Sequence, residues 1–264
     1  MDFHVLLKVV LLSIACKSFV TAWTPPNPPA QKIARDSFFE RRGRYVAGVL
    51  KAVFLTVIGF DILSTTLFSG MFDPHGIANG WMCPSTKARP RELSMALRTP
   101  SMTIALSVAI LAISAASRSW CYRTLGNQFR FEVSIQEKHR LVSSGPYAFV
   151  RHPAYLAMYG VYMGSTGILT SKGTWLRECV LETPTNAFVG VLQGRDELKS
   201  LFVYPVAEYV MLGLLGVMLA VFVGAERGLR GRMVWEEEVL KREFGREWDG
   251  YARRVPWRVV PFVY

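Results

Sequence analysis

The chain alternates long apolar runs with short, charged connections rich in proline and glycine. Runs this long and unbroken are not the one-sided stripe of a surface helix; they predict helices that cross a bilayer. The first covers residues 2–23 and is interrupted by His4, Lys8 and Lys17. It fits a secretory signal peptide or a first anchor helix, and Lys17 inside the apolar stretch favours the anchor. The second runs from Tyr45 to Gly70 and contains Asp61. An acid within a span is either a functional group or one turned toward another helix for packing. The third covers Pro100–Ser117, the fourth Ala154–Thr170 and the fifth Leu201–Ala225. Gly160, Gly164 and Gly167 on the fourth, with Gly216, Ala220 and Gly224 on the fifth, predict a tight hairpin, because small residues let helices approach closely.

The connections add more. Residues 24–30 form a proline-rich extended connector, followed by the basic patch Lys32, Arg35, Arg41, Arg42 and Arg44. After the fifth run, Trp235, Val239, Leu240, Phe244, Trp248 and Tyr251 recur at three- to five-residue intervals. That spacing predicts an amphipathic helix broken at Gly245, with its apolar face on the bilayer surface or the bundle. Arg232 and Glu236 stand four apart on one face. Facing an internal pocket, they would offer a ligand one cation and one anion. The predicted fold is an all-α integral membrane protein with about five transmembrane helices and a C-terminal amphipathic helical cap.

Composition agrees with this pattern: 51% of the 264 residues are apolar and the mean hydropathy is +0.22. The net charge of +11 could suit nucleic acid, but no recognition-helix pattern, zinc-finger spacing or basic–aromatic strand accompanies it. Basic loops beside membrane spans account for it instead. With five spans, residues 24–44, 118–152 and 225–264 share one side and hold 20 Lys and Arg, against 8 on the other side. The excess predicts that the first side is cytosolic. Cys16, Cys83, Cys121 and Cys179 contain no CxxC pair, and the four histidines make no metal-binding spacing, so no metal site is expected. The topology places Cys83 and Cys179 together in the lumen, where they could form a disulfide.

One polar stretch, His139–Tyr155, packs two His, two Arg and two Tyr around two prolines and a glycine. Gly145-Pro146 predicts a turn. Pro153 suits the first turn of a helix beginning near His152. Free N–H groups at that helix start would favour a negative ligand group.

This stretch and the tail together resemble the isoprenylcysteine carboxyl methyltransferase family of the endoplasmic reticulum. The matching pieces are Leu-Val-Ser-Ser-Gly-Pro-Tyr at 141–147, Arg-His-Pro-Ala-Tyr at 151–155, Arg232, Glu236-Glu237 with Leu240, Phe244-Gly245 and Arg254-Val255-Pro256. The resemblance implies transfer of a methyl group from S-adenosyl-L-methionine to the C-terminal carboxylate of a prenylated cysteine in CaaX-processed proteins. A related membrane methyltransferase acting on a phospholipid amine is the alternative. Contacts to the methyl donor would fall on Gln136, His139, Arg140, Leu141, Val142, Tyr147, His152, Pro153, Ala154, Tyr155 and Glu236, and Arg232 would meet the substrate carboxylate. Residues 1–117 would then supply N-terminal helices and residues 118–264 the catalytic region. The expected partners are prenylated protein C-termini and the bilayer, with no nucleic acid and no metal. The expected location is the endoplasmic reticulum membrane, with tail and active site cytosolic. Two features depart from the family pattern: Ala157 stands where glycine is usual, and residues 171–200 are a longer connection.

Overall fold

The computed structural model describes residues 2–30, 38–67, 90–135, 139–181 and 206–262. Helix α1 covers Phe3–Trp23, α2 Phe38–Leu67, α3 Pro90–Arg98, α4 Met102–Leu125, α5 Pro153–Thr170, α6 Val206–Phe244 and α7 Arg246–Arg254. Short 3₁₀ turns occur at Gly126–Gln128 and Gly145–Ala148, and a π-helical turn at Leu176–Leu181. No strand occurs among the described residues.

Among those residues, three stretches are long and apolar enough to cross a membrane: Phe3–Trp23, Arg41–Leu67 and Leu93–Gln128. They correspond to the first three predicted spans. The fourth is α5, helical throughout but diluted by Tyr155, Tyr159, Tyr162, Ser165 and Thr166. The fifth falls on α6, which does not stop near Ala225. It runs 39 residues in all, from Val206 to Phe244, about 58 Å at 1.5 Å per residue, so the predicted span and the start of the predicted tail are one helix. The break at Gly245 is present. Its φ of 51° lies in the left-handed region, which costs other residues about 1–2 kcal/mol, and α7 begins immediately after it.

The chain forms two compact units, each drawn from three segments. The first comprises Met1–Lys17, Ala52–Ala109 and Met163–Leu219. A charged pair sits at its centre. The fully buried Lys8 donates from Nζ to Asp61 Oδ1 at 2.7 Å, to the Leu97 carbonyl at 2.9 Å and to the Gly173 carbonyl at 2.7 Å. These bonds use all three ammonium donors. Thr65 Oγ1 donates to the Asp61 carbonyl at 2.7 Å. Lys8 therefore belongs to the packing of this unit, and Asp61 is a packing acid. Gly173, at φ 84°, lies where a Cβ would come within 2.7 Å of the Ala96 carbonyl. The rings of Phe60 and Trp175 stack at 5.3 Å. Cys179 is disulfide-bonded; Cys83 lies outside the described residues.

The second unit comprises Ser18–Lys51, Ile110–Tyr162 and Ala220–Tyr264. Here α4 and α5 touch through Gly160, where a methyl group would collide with Ser114. Gly167 meets Ser107 in the same way within the first unit. The close approach predicted at Gly216 and Gly224 is corrected: among the described residues, nothing lies within 4 Å of a Cβ added at either. Close approach needs small residues on both helices. Ser107 and Ser114 on α4 repeat at the same interval as Gly160 and Gly167 on α5 and supply it. Trp248, Tyr251 and Val255 form a buried cluster, against which Leu141, Leu240, Phe244 and Ala252 pack. The apolar face of α7 thus covers the 139–142 segment and the end of α6.

Candidate functional site

The site lies within the second unit and starts from local backbone geometry. Gly145, at φ 59°, opens the predicted turn; the Tyr147 N–H donates to the Ser144 carbonyl at 3.2 Å and the Phe149 N–H to the Pro146 carbonyl at 3.3 Å. Pro153 begins α5, and the Tyr155 and Leu156 N–H groups donate to the His152 carbonyl at 3.1 and 3.2 Å. The anion site expected at this helix start is not formed by the residues preceding it. The Arg151 N–H donates to the Trp257 carbonyl at 2.9 Å and the His152 N–H to the Arg258 carbonyl at 2.7 Å. Two tail carbonyls thus occupy the N–H groups just ahead of the helix. Tyr251 adds a third tie, its hydroxyl donating to the Tyr147 carbonyl at 2.9 Å.

Glu237 closes the same joint. Its Oε1 accepts from Arg151 Nε at 2.8 Å and lies 3.2 Å from His152 Nε2. Its Oε2 accepts from Arg258 Nε at 3.1 Å. Burial alone would raise its pKa, but hydrogen bonds and charge from His152 and Arg151 outweigh burial and leave it at about 2. A carboxylate meeting two guanidinium groups makes strong, charge-assisted bonds. Arg151 also donates from Nη1 to the Val255 carbonyl at 3.0 Å and the Pro256 carbonyl at 3.1 Å.

One position back on α6 the surroundings change. Glu236 accepts from the Tyr155 hydroxyl at 2.8 Å and faces a cavity of about 200 Å³. Of the residues predicted to form a site, His139, Arg140, Leu141, Val142, Tyr147, His152, Ala154, Tyr155, Arg232 and Glu236 all line this one cavity. Pro153 does not line it and serves as the first residue of α5. Gln136 lies outside the described residues. Leu229, Arg232, Glu236, Val239 and Leu240 face the cavity along α6, the spacing expected of one helix face.

Charge is laid out unevenly. His139 is half-buried; burial lowers its pKa, against the opposing charges of Glu243 and Glu236, and favours the neutral imidazole. Burial, with the charges of Cys121 and Glu236, holds the Tyr147 hydroxyl protonated, well above the usual range. Arg232 donates to the Phe131 carbonyl.

Reading the sequence missed several participants. Arg118, the residue after the third apolar run, is 6% exposed and lines the cavity. It donates to the Ala22 carbonyl at 2.7 Å and the Ala154 carbonyl at 2.9 Å, with its guanidinium 5.3 Å from the centre of the Tyr122 ring. An arginine just past an apolar run gives no sign in sequence that it turns inward. Gln128 accepts from the Arg140 N–H at 2.7 Å and donates to the Arg140 carbonyl at 3.2 Å, fastening the 139–142 segment as a strand neighbour would. Glu237 was visible as half of an acid pair, but spacing could not say which of the two faces a ligand. Among the described residues, no group of three or more His, Cys, Asp or Glu is placed to hold a metal ion.

Comparison with curated proteins and with solved structures finds no match. Residues 105–189 match the model of the isoprenylcysteine carboxyl methyltransferase (ICMT) family. The matched stretch includes the 139–155 segment and ends before α6, so Arg232 and Glu236 lie outside it. The match, on a chain with three membrane-length apolar helices, supports a membrane methyltransferase and assignment of the chain to the isoprenylcysteine carboxyl methyltransferase family.

Proposed function

We propose that this protein transfers a methyl group from S-adenosyl-L-methionine to the C-terminal carboxylate of a prenylated cysteine, at the cytosolic face of the endoplasmic reticulum membrane. The observation that carries this reading is that Arg232 and Glu236 line the same cavity as residues 139–142, His152, Ala154 and Tyr155. The residues suit the donor: a carboxylate at Glu236 and a neutral imidazole at His139 can receive its cationic groups, beside apolar side chains such as Leu141, Met158 and Leu240. When bound, the donor supplies a methyl carbon made electrophilic by its sulfonium. Residues 118–264 supply most of the cavity in this reading.

The acceptor carboxylate is already ionised at neutral pH and needs no general base. Arg232 offers it a planar, two-pronged donor. That contact helps only if it holds the carboxylate in line without over-stabilising it, because turnover rises only with extra transition-state stabilisation. Orientation of two bound reactants can lower the barrier by roughly 7–11 kcal/mol. A long prenyl chain adds about 0.8 kcal/mol of anchoring per buried CH₂.

The test is Arg232→Ala in purified protein, assayed on farnesylcysteine. We expect kcat/KM for carboxyl methylation to fall by roughly two orders of magnitude or more, while calorimetry still detects donor binding. Undiminished methylation would overturn the role of Arg232. Activity on a phospholipid amine that is indifferent to the substitution would favour the amine acceptor instead.

A further inference from the structure

Residues 126–134 form a strap along the cavity, and the N-terminal connector grips it. Asn27 Nδ2 donates to the Gly126 and Phe129 carbonyls, each at 2.8 Å. Arg44 Nε donates to Glu132 Oε1 at 2.6 Å, and its Nη2 donates to the Asn27 carbonyl at 3.0 Å. The Ala30 N–H donates to Glu132 Oε2 at 3.3 Å. Glu132 is 5% exposed, so Arg44 faces a carboxylate largely withdrawn from water. Between these ties, the Phe131 ring rests on Gly43, where a Cβ would come within 2.5 Å of Cε1. The Phe131 carbonyl accepts from Arg232.

The order of contacts is therefore connector, strap, Arg232. We propose that Arg44, Glu132 and Asn27 are a latch that positions Arg232 for the acceptor carboxylate, acting through the carbonyl of Phe131. Asn27 and Arg44 lie outside the family-matched stretch and Glu132 lies within it, so the N-terminal region supplies two of the three latch residues. Asn27 grips the carbonyls on either side of Gln128, which fastens the 139–142 segment, whereas the Arg44–Glu132 pair and Gly43 sit beside Phe131, whose carbonyl accepts from Arg232. The Arg44–Glu132 pair consequently acts on acceptor binding more than on donor binding. This inference rests on the functional reading above.

The experiment measures KM for farnesylcysteine and for S-adenosyl-L-methionine separately. In Glu132→Gln, which removes the charge with little change of shape, the acceptor KM should rise about tenfold while the donor KM stays within about twofold. A loss of general packing would instead lower the active fraction and leave both KM values unchanged. Exchanging the charges, Arg44→Glu with Glu132→Arg, should recover part of what either single reversal loses. Gly43→Ala reaches Phe131 without leaving a buried charge unpaired, and should raise the acceptor KM in the same selective way. If wild-type protein methylates farnesylcysteine but Glu132→Gln and Gly43→Ala leave the acceptor KM unchanged, or raise both KM values together, the latch is overturned alone. If wild-type protein does not methylate farnesylcysteine, the functional reading falls and the latch with it.

Discussion

Glu236 and Glu237 are sequence neighbours with opposite surroundings, and the difference makes a pH prediction. Glu237 has a folded pKa of about 2, against an ordinary value of 4.5. A carboxyl depressed on folding stabilises the protein above its unfolded pKa and loses that contribution as pH falls through the folded value. The thermal midpoint of the wild type should therefore drop between about pH 4.5 and pH 2, and Glu237→Gln should lack that part of the drop. Parallel wild-type and variant curves across this window would show that Glu237 does not hold the joint. The residue types of the site were legible in sequence because His, Arg, Tyr and Glu crowd beside turn signals. Their division of labour was not. Arg151 and Glu237 look like ligand groups until backbone carbonyls at 255–258 and a neighbouring guanidinium are seen to consume them.

At the level of elements, the apolar runs were legible because their length alone forces helices, and the break at Gly245 because a left-handed turn suits glycine. Partner choice between helices was not. Glycine stripes mark where a helix can be approached closely, yet among the described residues an added Cβ at Gly216 or Gly224 would meet nothing within 4 Å, while Gly160 and Gly167 meet serines on α4. Serine in an apolar run carries no such mark. The Lys8–Asp61 pair belongs to this scale as well, since two separate oddities of sequence explain each other. Lys8→Ala would leave Asp61 buried without its counter-charge, which costs about 3–5 kcal/mol when a buried pair is broken on one side. Lys8→Met combined with Asp61→Leu should recover most of that loss. Thermal unfolding in detergent measures both, and a single variant as stable as wild type would contradict the pin.

For the whole molecule, what matters is that residues far apart in sequence line one cavity: the 139–155 segment, the face of α6 from Leu229 to Leu240, and α7 over both. The family resemblance pointed to the first two, and turn and helix signals placed them locally. The contribution of the connector at 24–44 was invisible, because Asn27 and Arg44 act through backbone carbonyls and a buried acid that no spacing rule links to them. The substrate claim concerns the bond that is made, so the product tests it most directly. Purified protein is given donor labelled on its methyl group and farnesylcysteine, and the product is treated with mild base. A methyl ester releases its label as methanol, and this is the result predicted. Label that survives base, as on an amine, or no transfer to farnesylcysteine at all, would contradict the account.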